Sequence, residues 1–90
     1  MLACILGAID EVEAAIELAL GDAAAKPDVS SVTGLGEVQS DWERFRKSTC
    51  DYEASLAGDG SFASVAHADC WLRLTQKRLE WIHTNVNRKE

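Results

Sequence analysis

Apolar residues recur at Leu2, Ile5, Ile9, Val12, Ile16 and Leu20, three or four positions apart. That spacing returns to one face of an α-helix and predicts a helix over 2–20. The acids of this segment lie mainly off the stripe. Gly21 is expected to end the helix, since glycine readily takes the left-handed cap conformation. Residues 22–34 hold the single proline among small polar residues. They read as a connection with room for a helical turn.

A second stripe comprises Leu35, Val38, Trp42, Phe45, Thr49, Tyr52 and Leu56. It predicts a helix over 35–56 with one buried seam, in which Thr49 is the only polar member. The stretch AGDGS at 57–61 ends it. Ser61 is expected to cap a third helix over 62–85. That helix carries Phe62, Val65, Ala66, Leu72, Leu79, Ile82 and Val86, with Trp71, Leu74 and Trp81 alongside. Such breadth predicts burial on two sides. No segment alternates as a strand does, and no apolar run approaches the length of a membrane span. The expected fold is all-α: one domain over 1–90, a small antiparallel bundle of about three helices.

Length changes the picture. A chain of 90 residues buries only about two-thirds of its unfolded surface and gains from a covalent staple. Helices two and three would form a hairpin turning near Gly60, with Cys50 ten residues before it and Cys70 ten after. The two cysteines then stand at one height on neighbouring helices, which meets the first condition for a disulfide. The alternative is two buried, reduced thiols. A disulfide implies an oxidising compartment. Cys4 is left over as a free or unpaired thiol.

Charge narrows the partners. The net charge of −6 argues against nucleic acid, whose phosphates need a basic face. Residues 1–22 hold Asp10, Glu11, Glu13, Glu17 and Asp22 and no base, whereas residues 71–90 are mainly basic. The two segments could pack against each other, or both could be solvated faces.

Candidate chemistry is sparse. His67, Asp69 and Cys70 are too few for a metal site and lack a paired C-x-x-C. Ser61, His67 and Asp69 do not form a nucleophile set, because His67 and Asp69 point to different helix faces. There is no phosphate-binding loop and no dinucleotide fingerprint. Neither catalysis nor a cofactor is expected. Trp42 and Arg46 are four apart, so the guanidinium can lie along the indole, and Gln39 extends the same face. A buried tryptophan covered by a hydrogen-bonded arginine is the default reading, with a partner-binding patch as the alternative. Thr75 and Arg78 divide in the same way, and Arg78 could reach back to an acid on helix one.

Gln39, Trp42, Arg46 and Cys50, then Gly58-Asp59-Gly60-Ser61, then Cys70, Thr75 and Arg78, together resemble the signature of the LprI-type lysozyme-inhibitor N-terminal domain. Its members typically read Q-x-x-W-x-x-x-R-D-x-x-C, a Gly-rich turn with serine, then C-x-x-x-x-T-x-x-R. The intervals match throughout 39–78. The acid that usually follows the arginine is Lys47 here. Met1 and Cys4 resemble the family's M-x-x-C, which would make Met1 an internal position and leave an earlier cysteine and any signal peptide outside this chain. The resemblance implies an exported, helical, envelope-associated domain, periplasmic or secreted, with a protein partner that in at least one member is lysozyme. The alternative is an envelope scaffold that inhibits nothing. An exposed acidic loop near 57–61, with Asp59 as a partner contact, or near 22–28 would favour the inhibitor. An exposed apolar groove would favour the scaffold.

Overall fold

The computed structural model describes residues 2–24, 32–58 and 60–86. Three helices account for nearly all of them: α1 (Leu2–Ala24), α2 (Val32–Leu56) and α3 (Ser61–Asn85). Among the described residues there is no strand. The all-α, three-helix expectation holds, with differences at the helix ends.

Gly21 does not stop α1, which runs on to Ala24. A glycine inside a helix costs about 1 kcal/mol relative to alanine, and the alanines that follow are the best helix formers. α2 starts at Val32 and takes Gly34 and Gly36 into its first turns. Ser61 is not the cap of α3 but its first helical residue. Gly60 occupies the cap position with φ +79°, and no side chain caps the helix. Gly58 also has positive φ, +87°. Both values lie where a Cβ is strained, so the reversal from α2 to α3 needs glycine at these two positions.

α3 is the central element. It packs against α1 on one side and α2 on the other, while α1 and α2 hardly meet directly. Leu2 and Leu6 lie beside Ala63 and His67 at one end, and Ile16 and Ala19 beside Ile82 at the other. α1 therefore runs parallel to α3, and α2 runs antiparallel to both. The predicted burial of α3 on two sides is what the structure has.

The two sides of α3 are held by different chemistry. The α1 side is apolar: Ile16, Ala19 and Ile82 form the core cluster, flanked by Val12, Leu20, Leu79 and Val86. Of the two readings of the charge asymmetry, pairing of helix one with the last segment is not seen, since among the described residues no ion pair joins α1 to α3. The α2 side holds the Cys50–Cys70 disulfide, with Cα atoms 5.4 Å apart and both cysteines fully buried. The expected staple is present.

The expected seam of α2 is overturned at four of its seven positions, while Leu35, Trp42 and Thr49 are half-buried. Val38, Phe45, Tyr52 and Leu56 are 45, 55, 65 and 68% exposed. The line that faces inward is Gln39, Trp42, Arg46, Cys50 and Glu53, with Arg46 and Cys50 buried. Val38, Phe45 and Tyr52 each precede an inward position while Trp42 belongs to both lines, so at about 100° per residue the inward face is turned by about 70° from the expected one. Cys50 fixes this rotation, because its sulfur must face Cys70.

Candidate functional site

Of the residues singled out in the sequence, Gln39, Trp42, Arg46, Cys50, Cys70, Thr75 and Arg78 converge on the α2–α3 interface. Arg46 of α2 places its guanidinium carbon 4.5 Å from the ring centre of Trp42 and 3.9 Å from that of Trp71. Arg78 of α3 lies 5.5 Å from Trp42 and 4.1 Å from Trp81. His67 stacks on Trp71 at 5.4 Å. All three tryptophans of the chain thus contact a guanidinium, in the order Trp71, Arg46, Trp42, Arg78, Trp81. Cation–π attraction of this kind contributes about 0.5–2 kcal/mol per contact, more when desolvated.

Hydrogen bonds fix the arrangement. Arg46 Nη1 donates to Thr75 Oγ1 at 3.1 Å, and that hydroxyl donates to the Trp71 carbonyl at 2.5 Å. Arg78 Nε donates to Gln39 Oε1 at 2.9 Å. Arg78 therefore ties α3 to α2, and the contact it could have made with an acid on helix one is not seen. The acid of α1 that enters the network is Glu13. Its Oε1 accepts from Trp71 Nε1 at 3.3 Å and lies 3.9 Å from Arg46 Nη1.

Both arginines are buried, at 7 and 9% exposure. Burial lowers the pKa of each from its ordinary value, in Arg46 against the opposing pull of Glu13 and Glu43. Guanidinium stays protonated regardless. Arg46 Nε and Arg78 Nη2 are buried without a hydrogen-bond acceptor, and the indole faces partly offset that loss.

A second, exposed network lies nearer the hairpin turn. Asp51 accepts from Lys47 Nζ at 2.7 Å and contacts His67 Nε2 at 3.0 Å. These hydrogen bonds, that from Lys47 first, hold the Asp51 carboxyl below the usual carboxylate range. Arg73 joins Glu53 at 2.8 Å and Asp69 at 3.6 Å. The glutamate hydrogen bond is the main cause of its raised pKa.

Gly58 and Gly60 form the turn, and Ser61 is exposed beside it. Asp59, the expected partner contact, lies outside the described residues. Cys4 is free and exposed. Among the described residues no three potential metal ligands cluster, and no helix is long and apolar enough to cross a membrane. Glu13, Asp51 and Glu53 were not singled out in the sequence. The available signal was slight: Glu13 sits between Ile9 and Ile16, close to the buried stripe of α1.

A family model described as "Lysozyme inhibitor LprI" matches residues 1–82. No curated protein and no solved structure matches the chain.

Proposed function

The chain belongs to the LprI lysozyme inhibitor family, and from that premise we propose that it is an exported envelope protein that binds lysozyme-type muramidases and blocks them by protein–protein contact. The reading is non-enzymatic, and places the protein in the periplasm or outside the cell. The buried disulfide is consistent with an oxidising compartment.

The observation that carries the reading is the solvent face of α1. Asp10, Glu11, Glu17 and Asp22 are exposed, and the helix has no basic residue. Such a face attracts a basic enzyme over a distance and speeds encounter. In this proposal α1 steers the partner, and Asp59 is a candidate for an additional contact. Gln39, Trp42, Arg46, Thr75 and Arg78 hold the surface in shape from within.

A lysozyme activity assay tests this. The oxidised protein in molar excess at low salt is expected to suppress activity, and reduction of the disulfide to weaken the effect through loss of fold. Full lysozyme activity would leave an envelope scaffold as the reading. One observation favours that alternative: an apolar groove lies open between the first turns of α1 and α3.

A further inference from the structure

One flank of α1 is open along most of its length. Near the start of the helix, Leu2, Leu6 and Ile9 face α3 across a groove of about 560 Å³ that Trp71 also lines. Leu6 is 49% exposed there. This is the volume range that encloses a drug-sized molecule, so a bulky side chain fits. Further along, Glu13 and Glu17 face Glu43 of α2 across a second cleft of about 140 Å³. The two openings succeed one another because α1 rests on α3 and hardly touches α2. Leu6, Asp10, Glu13 and Glu17 follow at three- and four-residue steps and so share one side of the helix. The flank is apolar at one end and acidic at the other.

Its charge is compensated only in part, by Arg46, which pairs with Glu13 and also attracts Glu43. The neighbouring bases are engaged: Arg46 with Glu13, Lys47 with Asp51, Arg73 with Glu53 and Asp69. Among the described residues Asp10, Glu17 and Glu43 have no ion pair.

We propose that this flank binds a segment of a basic partner protein, with an apolar side chain entering the groove at Leu6 and lysine or arginine side chains meeting Asp10, Glu17 and Glu43. The inference rests on the reading that the chain acts by binding another protein, and it names the surface. A second copy is disfavoured, because two acidic flanks repel, and an anionic membrane is disfavoured on the same ground.

The test uses the full oxidised chain, methyl-labelled for NMR and titrated at low salt with a synthetic Leu/Lys amphipathic peptide and its Leu/Glu counterpart. The Leu/Lys peptide is expected to shift the methyls of Leu2, Leu6 and Ile9 and to leave Val38 unmoved. The Leu/Glu peptide is expected to shift none. Leu6→Gln should weaken binding about tenfold through lost apolar burial. Glu17→Gln should weaken it several-fold, with a smaller loss at high salt. Both positions are solvent-facing, and an unchanged melting temperature verifies the fold. Val38→Ser should bind as the parent does. Absence of binding, equal binding of the Leu/Glu peptide, or full affinity in both flank variants overturns the proposal. Lysozyme inhibition separates the two readings. If the parent inhibits and both flank variants inhibit equally, the flank is wrong and the inhibitor reading stands. If the parent does not inhibit but the Leu/Lys peptide seats on the flank, the inhibitor reading falls and the flank stands.

Discussion

Arg46 illustrates how a charge can serve as core. Its guanidinium is held between Trp42 and Trp71, with a hydroxyl at one nitrogen and a carboxylate nearby. Arg46→Ala removes the stem packing, the stacking and a charged hydrogen bond together, and should lower stability by about 2–3 kcal/mol. In a domain this small that is a fall in melting temperature of roughly 10–20 °C. Arg46→Lys should recover only part of it, because an ammonium has no planar face to stack. An unchanged melting curve with lost partner binding would move Arg46 to recognition. Asp51 carries a pH signature. A carboxyl whose folded pKa is depressed stabilises the fold above its ordinary value, near 3.9, and that contribution disappears as pH falls through the lower, folded value. Asp51→Asn should therefore melt below the parent at neutral pH, with the gap closing below about pH 4. The contact is exposed, so added salt should shrink the gap too. At this scale the inward set of Gln39, Trp42, Arg46, Thr75 and Arg78 was legible from spacing and family resemblance. Glu13 was not. It is recruited by an indole N–H 58 residues away, and local spacing carries no trace of such a contact.

For the helices, periodicity gave the existence and approximate span of each one but misplaced the face of α2. A stripe of Val38, Phe45, Tyr52 and Leu56 reads as a core because periodicity weighs hydrophobicity alone. The helix instead turns inward a guanidinium, which is weakly hydrated and flat enough to stack, and the disulfide locks that rotation. The difference is measurable. Tyr52→Ser and Phe45→Ser should each cost no more than about 0.5 kcal/mol, as surface changes do, whereas a buried aromatic would cost about 3–5 kcal/mol. Urea titrations of the two variants settle it. Replacing Cys50 and Cys70 together by alanine should remove about 3 kcal/mol, the loop-closure entropy of a link spanning 20 residues. The helix ends were the least legible part. Gly21 and Ser61 carry the right residue types for a stop and a cap, but the neighbouring alanines extend α1, and Gly60 takes the cap position itself.

The whole molecule is a covalently stapled hairpin with a first helix laid along it by apolar contact. Of the acids of α1, Glu13 is engaged by Trp71 and Arg46, whereas the exposed Asp10, Glu11, Glu17 and Asp22 face solvent and can act outward. If a basic muramidase is the partner, its association rate should drop several-fold between low and physiological salt, since exposed charges are screened over ~8 Å at the latter. Stopped-flow mixing at two ionic strengths measures this. The stacking of every indole against a guanidinium has an optical corollary. No aromatic residue occurs before Trp42, so α1 has no ring of its own to emit. Tryptophan emission reports the parting of α2 from α3, and it sees α1 from outside that helix, through Trp71 beside Leu2, Leu6 and Ile9 and bonded to Glu13, and through Trp42 beside Ile16 and Leu20. Far-ultraviolet ellipticity weighs all three helices, with 23 residues in α1 against 25 in each of the others. Emission therefore weighs the hairpin together with the seat of α1 beside Trp42 and Trp71, ellipticity weighs the whole chain, and coincident midpoints mark a first helix that leaves together with the hairpin.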